Sequence, residues 1–249
     1  MARTSNPDYL VLDIETVPDV DRWQRPDPGS GEPQFPPTWA QRIVVIGTLQ
    51  LDAGFGFRRT ALLGASAPPD ASPDARERAI LAELDAVMAD RPILVTYNGR
   101  GFDLPVLALR SLCHAMPMAW YFRDRNVRYR YSDEGHLDLC DWLADHGAAR
   151  AGRLDSLARL IGLPGKLGID GSQVEPLWLE GKTSAVEDYC LSDVAQTAFL
   201  LLRYRMLQGH LAPDTYRART SALVDALAAD ARLAPVIERI DRARLLPAP

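Results

Sequence analysis

The order of β-favouring and helix-favouring segments predicts an α/β fold: a mixed β-sheet, an antiparallel meander joined to parallel strands, flanked by helices. Three observations carry this expectation. Apolar, β-favouring runs at residues 9–14, 43–51 and 55–63 follow one another with no helical pattern between them. Beyond residue 74 helical patterns alternate with short strands, and the stretch from about Ser184 to Leu207 has the strongest helical pattern in the chain.

Taken in order, the first run, Tyr-Leu-Val-Leu-Asp-Ile, reads as a buried strand that meets a turn at Glu15-Thr16-Val17-Pro18. A Pro-rich insertion over residues 17–37 precedes the second and third strands. A Pro/Ala/Ser linker, residues 64–73, leads to a helix over residues 74–89. A short apolar strand follows at residues 93–97, ended by the turn Asn98-Gly99-Arg100-Gly101. Helices dominate from Leu104 onward, interrupted near residues 137–139. Ser184-Ala-Val-Glu187 matches a capping box and places the start of the last long helix there. The tail, residues 212–249, is Ala/Arg/Leu-rich and helical in pattern; it either packs on the domain or meets another chain.

Four acids in three of these segments are the candidate chemistry. Side chains alternate along a strand, so Asp13 and Glu15 project from one face, roughly 6 to 7 Å apart, with Leu10, Leu12 and Ile14 opposite. Asp103 lies at a strand-to-helix junction, where capping the helix is the expected role on that segment alone; Pro105 in the first turn suits either role. Tyr189 and Asp193, at i and i+4, share a helix face beside the apolar stripe of Val186, Cys190, Val194 and Leu201. Asp193 is either a solvated rim residue or an acid in need of a cation. Carboxylates converging from distant segments suit a hard divalent ion and phosphoryl chemistry.

D-x-E on a first strand, N-x-x-x-F-D after a later one and Y-x-x-x-D on a helix resemble the three motifs of the DEDD exonucleases, on the ribonuclease H-like fold. Tyr189, four residues before Asp193, resembles the Tyr branch of that superfamily; the position five before is Asp188 rather than His. Further segments, Asp13-Ile-Glu-Thr-Val-Pro-Asp19, Asn98-Gly-Arg-Gly-Phe-Asp-Leu-Pro-Val106, Arg128-Tyr-Arg-Tyr131, His136-Leu-Asp-Leu139, Pro164-Gly-Lys-Leu-Gly-Ile-Asp-Gly-Ser172 and Asp188-Tyr-Cys190, resemble a bacterial group of predicted 3′–5′ exonucleases similar to the proofreading domain of family B DNA polymerases. Leu191-Ser192 departs from the Glu-Thr expected there, without touching a ligand position.

The resemblance implies a 3′–5′ exonuclease domain over residues 8–209; residues 210–249 are expected, from their helical pattern, as an extension packed on the same domain. It implies two Mg²⁺ or Mn²⁺ ions, with Asp13 bridging both, Glu15 and Asp193 on the ion that binds the attacking water, and Asp103 supporting the other. Tyr189 would orient the nucleophile, since a phenol near pKa 10 is a poor base. Thr16, Asn98 and Phe102 lie where the family holds the terminal nucleotide. The products would be nucleoside 5′-monophosphates released from 3′ ends, single-stranded DNA being favoured and RNA being the alternative substrate. A catalytically silent binding module is expected to have lost a ligand, and all four are present.

At 249 residues and 47% hydrophobic content the chain can bury one core, and no run approaches the roughly 20 apolar residues of a membrane helix. No signal-peptide pattern is present, so a cytoplasmic location is expected, and no polymerase segment accompanies the motifs, so proofreading in cis is not. A net charge of −5 is modest for a nucleic-acid enzyme whose metal ions meet the phosphate. Arg123, Arg125, Arg128 and Arg130, interleaved with Tyr121, Tyr129 and Tyr131, form the basic-aromatic patch suited to a strand, or else a solvated extended segment. Lys166, in the Gly-rich stretch 162–171, is a second candidate phosphate contact, or part of a flexible connection. Cys113, Cys140 and Cys190 read as buried reduced thiols. Gly181-Lys182-Thr183 lacks the first Gly of a phosphate-binding loop, which would fall at Pro176, and Gly99-Arg-Gly101 lacks the third Gly of a dinucleotide fingerprint. The four histidines have no zinc-site spacing.

Overall fold

The computed structural model describes residues 7–68 and 70–248. Five strands, β1 (Tyr9–Pro18), β2 (Gln41–Leu51), β3 (Phe57–Leu62), β4 (Ile93–Thr96) and β5 (His136–Asp138), form one sheet in the order β3-β2-β1-β4-β5. β1–β2 and β2–β3 pair antiparallel, whereas β4 joins β1 and β5 joins β4 in parallel. Alternation of meander and crossovers follows from the connections: the parallel strands are separated by helices that return the chain across a sheet face.

The helices, in chain order, are α1 (Pro73–Met88), α2 (Asp103–Cys113), α3 (Ala119–Arg123), α4 (Arg125–Arg128), α5 (Leu139–Leu143), α6 (Leu154–Leu160), α7 (Val174–Leu179), α8 (Thr183–Leu207), α9 (Pro213–Leu227), α10 (Ala234–Ile237) and α11 (Arg242–Leu245). The period of two along β1 divides the core. Leu10, Leu12 and Ile14 join Ile80, Leu84 and Met88 of α1 and Leu104 and Leu107 of α2 on one face. Val11 joins Val194, Ala198 and Leu201 of α8 on the other, in a cluster that also takes in Tyr216, Leu223 and Leu227 of α9. Among the described residues no helix is long and apolar enough to cross a membrane.

Three local expectations need correction. Glu15 to Pro18 do not turn; they stay in β1, with the register slipping between Glu15 and Thr16, so that Glu15 faces Val45 and Thr16 faces Ile43. The extra residue on β2 is a bulge, which re-aims side chains without ending the ladder. Second, α8 starts at Thr183 with Lys182 as its N-cap, and no side chain caps it, so Ser184 and Glu187 form no capping box. Backbone bonds close that end instead, from Ala185 N to Lys182 O and from Lys182 N to Leu177 O. Third, only Cys190 is buried; Cys140 is partly covered and Cys113, on the last turn of α2, is exposed.

Behind the sheet a buried ion network ties the far end of β1 to the first two helices. Arg110 of α2 is fully buried, with Nη1 2.7 Å from Asp19 and Nη2 2.6 Å from Glu77 of α1. Arg42 reaches Asp19 at 2.8 Å, and Glu77 also accepts the Ile43 N–H and meets His114 Nε2, each at 2.8 Å. Burial alone would raise the Asp19 carboxyl, but hydrogen bonds from Arg42, Arg110 and Arg22 hold it down to about 2. The acids Asp74 and Glu77 with His114 have the composition of a metal cluster, yet the guanidinium groups already neutralise them.

Candidate active site

β1 brings Asp13 and Glu15 to the sheet face covered by α8. Close approach of that helix depends on Gly47, which pairs with Asp13 across the β1–β2 ladder. A Cβ there would lie 2.9 Å from Cys190 Sγ and 3.1 Å from Val194 Cγ2, so only a glycine lets α8 lie this near the sheet. The Cys190 thiol meets the Asp13 carbonyl at 3.5 Å and its carboxylate at 3.7 Å. One turn of α8 then carries Tyr189 and Asp193 to the same place.

Asp103 arrives from the other side of β1. It is the first residue of α2, whose N-cap is Phe102, and its carboxyl accepts its own backbone N–H at the start of the helix. The same carboxyl also accepts the Ile14 N–H, which fixes it against β1. The turn ahead of it is held by Asp138 at the end of β5: Oδ1 accepts the Asn98 N–H at 2.8 Å, and Oδ2 accepts the Arg100 N–H at 2.9 Å. Asn98 itself sits at a φ of 64°, a left-handed conformation that Asn tolerates.

The four carboxylates act on one another. Burial, then the charges of Glu15, Asp103 and Asp193, push Asp13 well above the usual carboxylate range. Glu15 is raised well above it by burial and then by Asp193 and Asp103, against the pull of Lys166. Asp103 is pushed up to about 7, chiefly by burial, and Asp193 to about 6 by burial, with the Tyr189 hydroxyl and Lys166 opposing. Tyr189 is raised above its ordinary value by burial first and then by its acidic neighbours, so the phenol is neutral and donates to Asp193. Among the described residues no arginine, lysine or histidine forms an ion pair with any of the four. Hard oxygen donors that crowd together and resist ionisation without a cation fit a divalent metal, which would remove both the repulsion and the cost of burying charge.

Of the expected substrate contacts, Lys166 is brought to this centre. Its loop is pinned by the Gly165 N–H to Gln196 Oε1 at 2.8 Å and by its own N–H to Asp155 Oδ1 at 2.7 Å, so it is not a loose connection. Thr16 and Phe102 line a cavity of about 470 Å³ that opens beside Glu15. Asn98 is exposed on its turn. Lys166, Tyr189 and Asp193 line a second cavity, about 200 Å³, closed on one side by Arg232 and Val236. A third cavity, about 400 Å³ beside Met88, Trp120 and Arg123, contains none of the four acids.

Arg128 and Arg130 are not drawn to the acids. Their segment is α4 and the turn after it, rather than an extended run, and the Arg100 side chain fastens it by donating to the carbonyls of Val127, Arg128 and Tyr129. Arg128 lies over the rings of Tyr121 and Phe122, and Arg130 is paired with Asp141. Asp138, Gly47 and Gln41, whose Oε1 accepts the Thr16 hydroxyl at 2.8 Å, have positioning roles that the motifs alone do not assign. Asp138 is almost fully buried at the end of a short strand, and a buried carboxylate requires N–H partners.

The chain belongs to the family of predicted 3′–5′ exonucleases related to the exonuclease domain of PolB, whose family model matches residues 33–241. It is similar to the catalytic subunit of DNA polymerase epsilon from Schizosaccharomyces pombe, with 27% identity over 119 residues, 45% of this chain and 5% of that one. The family B DNA polymerase of the hyperthermophilic archaeon Pyrobaculum calidifontis superposes with a TM-score of 0.56 at 19% identity, over 96% of this chain and 28% of the polymerase. The chain thus spans a minor part of either polymerase. E. coli exonuclease I in complex with a dT13 oligonucleotide gives a TM-score of 0.40 at 14% identity, over 90% of this chain and 43% of that one. The mixed sheet with helices on both faces is the ribonuclease H-like fold of such exonuclease domains.

Proposed function

We propose that the protein hydrolyses the terminal phosphodiester at the 3′ end of single-stranded DNA and releases nucleoside 5′-monophosphates. The observation that carries this reading is the convergence of Asp13, Glu15, Asp103 and Asp193 from β1, α2 and α8 with their carboxyls raised by burial and mutual repulsion. These four would hold two divalent ions, Mg²⁺ or Mn²⁺. When bound, such ions supply an activated water and stabilise charge at the scissile phosphate and the leaving oxygen.

The chain's own groups do the rest. Tyr189, kept neutral, directs its hydroxyl into the centre and positions the nucleophile by hydrogen bonding; it does not act as a base. Lys166 supplies positive charge beside Glu15 and Asp193, where a phosphate oxygen is to be held. Thr16, Asn98 and Phe102 receive the terminal nucleotide. Arg128 and the exposed Tyr129 and Tyr131 offer the strand a platform further along, and Arg130, held by Asp141, borders it and would meet a phosphate only by sharing its guanidinium with that carboxylate. We assign residues 8–209 to this exonuclease domain, with residues 210–249 packed on it; the burial of Tyr216 and Leu223 in the same cluster as α8 supports that assignment.

Digestion of matched DNA and RNA single strands tests the reading. Release of 5′-monophosphates from DNA faster than from RNA is expected; release from RNA alone would change the substrate, and metal-dependent release from neither would overturn the activity.

A further inference from the structure

The Cys190 thiol stands among the acids of the site, and no step of the hydrolysis described above uses it. It comes from the inner side of α8, where Gly47 leaves it room, and donates to the Asp13 carbonyl at 3.5 Å and to the Asp13 carboxylate at 3.7 Å. Ligand atoms of Asp13, Glu15 and Cys190 all lie within 4.8 Å of one another. Glu15 is 7% exposed, and among the described residues no hydrogen bond or salt bridge reaches its carboxylate. The other group of this composition, Asp74, Glu77 and His114, has guanidinium partners instead. A buried carboxylate without a partner, aimed at a sulfur and a second carboxylate, lacks a cation.

The spacing of these donors suits a tetrahedral ion. A Zn–S bond of about 2.3 Å and a Zn–O bond of about 2.1 Å, set at the tetrahedral angle, separate sulfur from oxygen by about 3.6 Å. Cys190 Sγ and Asp13 Oδ2 already stand 3.7 Å apart. A shift of about 1 Å by the Glu15 carboxylate closes the set, with water in the fourth position. Mg²⁺ takes an octahedron of oxygens, so in its presence the thiol keeps its proton and stays outside the shell. A thiolate selects zinc and ions like it. Their binding breaks the S–H bond, forms a sulfur–metal bond and releases the proton to solvent.

We propose that Asp13, Glu15 and Cys190 form a thiolate-containing site for thiophilic divalent ions such as Zn²⁺, overlapping the hard-ion centre and inhibiting it. The site stands on its three donors; the inhibition rests on the exonuclease reading. Zn²⁺ held this way takes two of the four acids that the hard ions need and fixes them in a tetrahedral arrangement, so hydrolysis stops. Cys190 is thus the residue that sets which ions the centre accepts, although its sulfur contributes nothing to the hard-ion reaction itself.

The test is a titration of Co²⁺ into the reduced full chain carrying Cys113→Ser and Cys140→Ser, in which Cys190 is the one thiol. Thiolate ligation shows as a near-ultraviolet sulfur-to-cobalt charge-transfer band, and tetrahedral geometry as strong visible absorption. The band is expected to appear, to be bleached by stoichiometric Zn²⁺ but not by the same amount of Mg²⁺, and to be absent once Cys190→Ala is added. That change is expected to raise the Kd for Zn²⁺ about 100-fold. Zn²⁺ is expected to inhibit Mg²⁺-dependent hydrolysis at the concentration that bleaches the band. Co²⁺ bound without the band, a Zn²⁺ affinity unmoved by Cys190→Ala, or Zn²⁺ that binds without slowing hydrolysis overturns the proposal and leaves the exonuclease reading standing. A folded chain that binds neither Co²⁺ nor Mn²⁺ overturns both.

Discussion

Gly47 of β2 and Cys190 of α8 are in contact at a distance that excludes any larger residue at position 47: a Cβ there would stand 2.9 Å from the Cys190 sulfur. This closeness is what lets one helix deliver Tyr189 and Asp193 to the acids of β1. Gly47→Ala is therefore expected to cost about 1–3 kcal/mol in stability through overpacking and to lower kcat as α8 is displaced. In a double-mutant cycle with Cys190→Ala the two changes should couple favourably, since the second removes one of the clashing atoms. Thermal denaturation and activity of the three variants measure it; strict additivity would deny the contact its role.

Removing a carboxylate should stabilise the metal-free protein above neutral pH. Asp103 has an ordinary value of 3.8 and is raised to about 7 in the folded chain. Between those values the folded state holds a proton that the unfolded state has lost, so this group's contribution falls as pH rises and is at its most unfavourable above about 7. Asp103→Asn removes that dependence. In EDTA at pH 8 the variant is expected to melt several degrees above the wild type, about 1 kcal/mol corresponding to about 2–4 °C in a domain of this size, and the gap should shrink at pH 5. Mn²⁺ should raise the wild-type midpoint more than that of the variant.

Arg110→Met should be among the most damaging substitutions outside the site. It leaves Asp19 and Glu77 buried without their shared guanidinium, a loss of about 3–5 kcal/mol for a broken buried pair. Denaturant unfolding of the variant provides the number; a loss below about 1 kcal/mol would mean that Arg42 and His114 suffice.

Tyr189→Phe is expected to slow hydrolysis about 10- to 100-fold through loss of positioning while Mn²⁺ binding by calorimetry stays near wild type. Because the phenol is held neutral, the alkaline side of the pH–rate profile should not depend on it. A variant that lost metal binding together with activity would make Tyr189 part of the metal cradle.

The sequence was most informative where one residue reports a local pattern. Alternation along β1 placed Asp13 and Glu15 on one face, and the stripe of Val186, Cys190, Val194 and Leu201 placed Tyr189 and Asp193 on α8; the structure has all four stripe residues fully buried. It was least informative where the reason is a partner far along the chain. The capping pattern at Ser184 was sound chemistry that lost to a backbone closure by Leu177, and the turn expected after Glu15 lost to pairing with β2. Asp19, Glu77 and Arg110, separated by up to 91 positions, gave no local sign of meeting. Nothing in the composition of the Pro-rich insertion tells that Phe35 ends up beside Phe102.

The most direct test of the central claim is digestion of 5′-labelled single-stranded DNA in Mg²⁺ by the wild type and Asp13→Ala. A ladder that shortens from the 3′ end, abolished by EDTA and absent with a folded Asp13→Ala, is the predicted result. Wild-type rates from Asp13→Ala, or an intact strand with metal-loaded wild type, would contradict it.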